Sequence, residues 1–179
     1  MWFRSDMGSR VDAERPSRGL AMVPLCSVSE QLMTGDDEPY LAIIVHKVPL
    51  KCYLQQLREY LGEGDYARYT ANQQLRDGGG YHITVVSPAE LGELVETDMD
   101  ILLTNQPMQC RLIGVGRARQ EGDTAYFIVC ESEELQHFRA SLGLGRKDMH
   151  VTLGFEAADV HKVAKDATTL IEPIPEMNQ

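Results

Sequence analysis

Two short words of the chain each pair an imidazole with a hydroxyl: His82-Ile83-Thr84 and His150-Val151-Thr152. Both lie in apolar runs that read as β-strands, over residues 81–86 and 149–155. Alternate side chains of a strand share a face. His82 and Thr84 therefore point one way and Tyr81, Ile83 and Val85 the other; His150 and Thr152 likewise oppose Met149, Val151 and Leu153. With five His, nine Thr and 43% hydrophobic residues in a chain of 179, a His-apolar-Thr word is expected ~0.1 times, so two copies in matching settings are not an accident of composition.

Two imidazoles with an ordinary pKa near about 6.5 can coexist at neutral pH as one neutral base and one charged acid. In-line displacement at phosphorus asks for that pair: a base behind the attacking water and an acid beside the leaving oxygen. Each such proton transfer is typically worth about 10²–10⁴ in rate. His82 and His150 are the candidate acid and base, and Thr84 and Thr152 the candidate donors to the non-bridging oxygens, where charge develops. Two histidines with no Cys, Asp or Glu at ligand spacing make a poor metal site, so neither metal nor cofactor is expected.

The elements that must hold these residues come in two sets. Residues 40–45 read as a buried strand, and Pro49 suits a first helical position. Leu50, Tyr53, Leu54, Leu57 and Leu61 then recur at helical spacing up to Gly62. Residues 62–80 read as a long irregular segment closing in three glycines, a candidate lid, before the first His-x-Thr strand. Ser87-Pro88-Ala89-Glu90 has the form of a capping box. In the second set, residues 108–116 and 125–131 read as strands joined through Gly122-Asp123. Ser132 caps a helix with Leu135, Phe138 and Leu142 on one face, and the second His-x-Thr strand follows. Strand, helix, His-x-Thr strand thus occurs twice, which predicts two similar lobes whose histidines meet in the cleft between them.

Composition bounds the rest. The chain length fits one domain of good size or two small fused lobes. Residues 1–38 show no sustained period and are expected to be an N-terminal extension, partly disordered; residues 39–179 form the domain, with lobes over roughly 39–106 and 107–156 and a C-terminal segment 157–179. No apolar run approaches the about 18 residues of a membrane-crossing helix, and no signal peptide opens the chain. Cys26, Cys52, Cys110 and Cys130 show no close pairing and no metal-type spacing, as reduced thiols of a cytoplasmic protein would. A net charge of −10 counts against coating long nucleic acid, but not against gripping one phosphate in a local pocket. The expected partner is therefore a small nucleotide or an RNA end, met by a monomer away from any membrane.

The paired words, one per lobe, resemble the motifs of the two-histidine (2H) phosphoesterase superfamily, which includes RNA 2′,3′-cyclic phosphodiesterases and 2′-5′ oligonucleotide phosphodiesterases. The resemblance covers roughly residues 39–156. The wording of residues 80–85 and 147–155 looks closest to the branch associated with "Swiss army knife" RNA-repair proteins. The resemblance implies an α+β fold, bilobal and pseudo-symmetric, with two antiparallel sheets lining a central cleft. It also implies metal-independent hydrolysis of a cyclic phosphate, with His82, Thr84, His150 and Thr152 at the catalytic positions.

Other residues are weaker candidates for contact with substrate. Tyr126 and Phe127 occupy successive strand positions, so one should face the cleft and could stack on a base, although core packing is the commoner fate. Arg146 and Lys147 precede the second motif and could attract a phosphate, and His161 and Lys162 belong to a segment that either folds over the cleft or lies on the surface. His46 and His137 read as structural or surface residues, and Tyr81 as a core residue. Three alternatives stand beside a cyclic-phosphate hydrolase. One is a 2′-5′ oligonucleotide phosphodiesterase. Another is a module that binds nucleotide ends without turnover, against which the presence of both His and both Thr weighs. The third is an RNA-binding domain on a similar sheet, but the chain is acidic and lacks the basic-Gly-aromatic-Gly strand signature.

Overall fold

A computed structural model of the chain describes residues 22–25, 29–33, 38–94 and 108–171. In chain order the elements are β1 (Met22–Leu25), β2 (Ser29–Met33), β3 (Pro39–Ile44), a 3₁₀ turn (Val48–Leu50), α1 (Lys51–Leu61), α2 (Glu63–Asp77), β4 (His82–Val86), α3 (Pro88–Glu93), β5 (Met108–Gln120), β6 (Asp123–Glu131), α4 (Glu133–Ser141), β7 (Met149–Phe155) and a second 3₁₀ turn (Ala167–Thr169). The fold is α+β, as expected.

The described strands pair antiparallel into one sheet, in the order β1-β5-β6-β7-β4-β3-β2. This corrects the expectation of two separate sheets across a cleft. The two His-x-Thr strands are direct neighbours, joined at Ile83↔Val151. Each would otherwise leave an edge of unpaired N–H and C=O groups, and pairing them removes both edges. Two edge strands come from within residues 1–38: β1 pairs with β5 and β2 with β3. Residues 1–21 and the breaker residues 35–37 lie outside the described set.

One face of the sheet carries the main core. Leu54 and Leu57 of α1, Tyr69 of α2, Leu91 of α3 and Leu135 of α4 pack with Tyr81, Ile83, Val85, Met149, Val151 and Leu153. These strand residues are the ones whose alternation pointed away from the His-x-Thr side chains. The other face holds a smaller cluster of Ala118, Ala125, Phe127, Val129, Phe155 and Val160. The chain after β7 covers that cluster: Ile171 N–H donates to Val115 O at 2.9 Å and Leu170 bridges to Gly116. A Cβ at Gly116 would stand 2.6 Å from Phe127 and 2.8 Å from Thr169, so only glycine admits this return of the chain.

Residues 62–80 are not irregular. They hold α2, fifteen residues long, opened after Gly62 (φ 78°) and closed at Gly78 in the left-handed region (φ 62°). Its buried residues are Tyr69, Thr70 and Gln73. A stripe of that composition has helical spacing without aliphatic character, so apolar periodicity does not reveal it. Beneath it, Phe127 pairs with Thr152 and Tyr126 with Gly154, which leaves Leu153 as a bulge. A Cβ on Gly154 would lie 2.9 Å from the Tyr69 carbonyl carbon, so this glycine lets the backbone of α2 sit directly on β7. The expected capping box forms: Ser87 N–H donates to Glu90 Oε2 at 2.9 Å and Glu90 N–H to Ser87 Oγ at 3.5 Å. Ser132 caps α4, accepting from Leu135 N–H at 3.2 Å.

Candidate functional site

The Ile83↔Val151 pair fixes where the four motif side chains stand. In an antiparallel register it sets His82 across from Thr152 and Thr84 across from His150. All four share the face opposite the main core. Each imidazole is therefore flanked by the hydroxyl of the other word, and the two imidazoles are diagonal neighbours. The sequence placed each His with its own Thr; strand pairing adds the exchange between words.

His150 has one internally consistent tautomer. Its Nδ1 lies 3.3 Å from the Asp148 carbonyl oxygen, which only accepts. Its Nε2 lies 3.2 Å from Lys165 Nζ, an ammonium that only donates. Nδ1 thus carries the hydrogen and Nε2 presents its lone pair, as a general base requires. Burial, with the Lys165 charge beside it, pushes the imidazole down to about 3, against the opposing pull of Asp159. The ring stands edge-on to Phe127, with centroids 5.6 Å apart.

His82 is held differently. Its Nε2 is 3.5 Å from Tyr40 Oη, and the two rings are 5.5 Å apart. Burial lowers its pKa as well, as does the Arg76 charge, while Asp77 and Asp159 pull it upward. Of the two imidazoles, His82 is the one without an ammonium on its lone pair.

A buried carboxylate ties these groups together. Asp159 Oδ1 accepts from Lys165 Nζ at 3.1 Å. Its Oδ2 accepts from Thr152 Oγ1 at 3.2 Å and from Arg76 Nη1 at 2.5 Å. Burial alone would raise this carboxyl; Lys165 and Arg76 override that and hold it well below the usual range. Arg76 also forks onto Asp77, with Nε and Nη2 at 2.7 and 2.8 Å, and lies over the Phe155 ring at 5.0 Å. Arg76 and Asp77 end α2, and Asp159 and Lys165 follow β7. The chain after β7 thus folds over the His-bearing face and brings its cation there.

Of the weaker sequence candidates, Tyr126 and Phe127 take the commoner fate of core packing. Tyr126 is buried in the main core between Tyr60 and Tyr69, so it cannot stack on a base. Phe127 is fully buried, packed against His150. Arg146 pairs with Glu133 at 2.6 Å and Lys147 with Glu90 at 3.2 Å. His161 and Lys162 are exposed, while Lys165, three residues on, is the cation turned inward. His46 and His137 are exposed and Tyr81 is buried, as read. Arg76, Asp77 and Tyr40 were not among the candidates; Asp159 and Lys165 lie in the segment 159–165 that could fold over the cleft and supply cations, and Lys165 rather than Lys162 is the one that does. A groove of about 870 Å³ passes the start of β7, lined by Asp148, Met149, Lys165 and Thr168 among others. Among the described residues no three His, Cys, Asp or Glu side chains are grouped to share one metal ion, no helix is long and apolar enough to cross a membrane, and Cys52, Cys110 and Cys130 are free thiols.

An antiparallel sheet backed by helices, presenting two His-x-Thr words side by side on its other face, defines a phosphoesterase-type scaffold. The match of residues 48–161 to the family described as Swiss Army Knife, 2H phosphoesterase domain makes the assignment: the chain belongs to the 2H phosphoesterase superfamily, in its Swiss Army Knife branch. No curated protein and no solved structure matches the chain. Tyr40 and Lys165, the side chains on the two Nε2 atoms, both lie outside the matched span.

Proposed function

We propose that the protein is a metal-independent phosphodiesterase that hydrolyses 2′,3′-cyclic phosphate, or a related 2′-linked phosphodiester, at the end of an RNA or on a nucleotide. The observation that carries this reading is the β4–β7 register, which sets two imidazoles and two hydroxyls side by side on one face of the sheet. His150 is the base, since the Asp148 carbonyl holds the hydrogen on Nδ1 and so leaves the lone pair at Nε2. His82 is the acid: burial lowers its pKa in the free protein, and a bound phosphate would join Asp77 and Asp159 in favouring its charged form.

In the reaction His150 Nε2 takes a proton from water as the water oxygen bonds to phosphorus. The bond from phosphorus to the leaving ribose oxygen breaks, and His82 delivers a proton to that oxygen. Thr84 and Thr152 donate to the non-bridging oxygens, and Arg76 and Lys165 add positive charge close by. The fixed side chains supply both proton transfers and the charge stabilisation, so the step needs no metal-bound water.

The test is turnover of 2′,3′-cyclic nucleotides by the purified full-length protein in excess chelator. The expected result is ring opening to a single monophosphate isomer, undiminished by the chelator. Activity abolished by the chelator and restored by a divalent ion overturns the metal-independent reading. Tight nucleotide binding with no product overturns hydrolysis in favour of a binding module.

A further inference from the structure

We propose that Lys165 gates the base: in the free protein its ammonium caps the Nε2 lone pair of His150, and the phosphate of an arriving substrate draws that ammonium onto a non-bridging oxygen, leaving Nε2 free to accept a proton from water. The inference rests on the phosphodiesterase reading and adds to it a residue beyond the family match.

The argument begins with a conflict of valence. A neutral imidazole has one lone pair, and in His150 it is at Nε2. That pair cannot accept from Lys165 and from an attacking water at once. The structure as it stands therefore shows a base that is correctly oriented and occupied. Lys165 is 3% exposed and is anchored apart from His150: its backbone N–H donates to Asp148 Oδ2 at 3.0 Å and its Nζ to Asp159 Oδ1 at 3.1 Å. An ammonium has three hydrogens. One stays on Asp159 while another exchanges His150 for a phosphate oxygen, and only the end of the side chain moves.

Asp159 sets the direction of that movement. Its other oxygen holds Thr152 Oγ1, so the carboxylate that tethers Lys165 also touches a hydroxyl proposed to bind phosphate. The groups facing His150 are Lys165 and Asp159 from the chain after β7, Lys147 and the Asp148 carbonyl from its own approach, Phe127 from β6, and Thr84 from β4. Among these Lys165 is the cation in contact with the ring, and in that same position its ammonium overlies the Phe127 ring at 5.3 Å. A substrate that releases this contact must bring a charged phosphoryl oxygen. A neutral ester of the same shape leaves the base capped.

The experiment follows the ring nitrogens of His150 by NMR in the full-length protein, free and with inorganic phosphate, in wild type and Lys165→Met, beside kcat and KM for a 2′,3′-cyclic nucleotide. Phosphate should shift the wild-type Nε2 resonance and leave the variant's nearly unmoved. Lys165→Met should raise the protonation midpoint of His150 by a pH unit or more. It should also cut kcat/KM by about 10–100-fold, mainly through KM, with the acid limb of the profile moving up together with the midpoint. A wild-type Nε2 that ignores saturating phosphate overturns the gate, and this arm holds even where the variant fails to fold. An unchanged His150 midpoint in a folded variant also overturns it. A phosphate-responsive His150 in a protein that turns over no phosphodiester supports the gate and overturns hydrolysis; active protein with an unmoved His150 overturns the gate alone.

Discussion

Thr152 donates its hydroxyl to Asp159, seven residues further along the chain, at 3.2 Å. The bond links a motif residue on β7 to the carboxylate that also holds Arg76 and Lys165. Thr152 has a single hydroxyl hydrogen, so on the proposed reading it holds the carboxylate in the free protein and turns that hydrogen to phosphate when substrate is bound, whereas Thr84 has the second task alone. Replacement by valine keeps shape and strand preference and removes the donor. Thr84→Val and Thr152→Val should each lower kcat/KM by about 10–10³, with the larger loss at Thr152. Serine at either position should restore most of it. Wild-type rates in both valine variants would show that the threonines serve only the strands.

The two histidines should behave as one unit. His82→Ala and His150→Ala should each remove most turnover, and the double variant should lose little more than either alone. Both side chains are half-buried and lie outside the main core, so the fold should survive. In wild type kcat/KM should be bell-shaped in pH, with limbs belonging to the pair. Residual activity of the His150 variant should lack the acid limb, and that of the His82 variant the alkaline limb. The opposite pattern would exchange the two roles.

Much of this was legible because strand alternation is a strict code. His82, Thr84, His150 and Thr152 share a face by period two, and Tyr81 to Leu153 in the alternate positions are buried as that code requires. Ser87 and Glu90 announced their capping box by spacing alone. Pairing between strands distant in sequence carries no such local mark, so two sheets were expected where β4 and β7 join one. Helix α2 escaped because its inward stripe is Tyr69, Thr70 and Gln73 rather than leucines, and Arg76 and Asp77 were lost with it. Lys162 and Lys165 look alike in sequence. Only the return of the chain over Gly116 decides which of them is turned inward.

Arg139 should matter for stability and not for chemistry. Its guanidinium, 2% exposed, donates to Val85 O at 2.6 Å, to Gly145 O at 2.8 Å and to Glu90 at 2.7 Å. It thereby clamps the end of β4 to the loop that leads into β7. Burial raises the Glu90 carboxyl, but Arg139 and Ser87 more than reverse this and hold it far below its usual range. Arg139→Met leaves that carboxylate and two carbonyls without their main donor, at a cost of about 3–5 kcal/mol. Thermal unfolding should fall by about 6–20 °C, while kcat of the folded enzyme stays within a few-fold. A loss of kcat with unchanged melting would move Arg139 from the frame to the site.

Acid should weaken the fold through the site itself, and the sign follows from the direction of each shift. The folded His150 stays neutral down to about 3 because burial and Lys165 oppose its charge. The unfolded chain takes up that proton near its ordinary value of about 6.5. The unfolded state therefore binds more protons between these limits, and stability falls as the pH drops through them. His82, lowered in the same direction by burial, adds to the slope. Asp159 acts lower down: although burial raises its carboxyl, Lys165 and Arg76 hold it depressed, so its contribution is complete above about pH 4 and is lost as the pH falls further. Urea midpoints measured at pH 7.5, 5.5 and 4.5, about the span in which the imidazoles act, should decline steadily in wild type. His150→Gln should flatten that decline. Asp159→Asn should lower the midpoint at every pH, because the buried Lys165 and the part-exposed Arg76 lose their common partner, and a further midpoint taken below about pH 4, the ordinary carboxyl value, should show a flatter loss than in wild type. A wild-type midpoint that does not change from neutral to mildly acidic pH would mean that both imidazoles protonate freely within the fold, and with it the fixed neutral base at His150 would go.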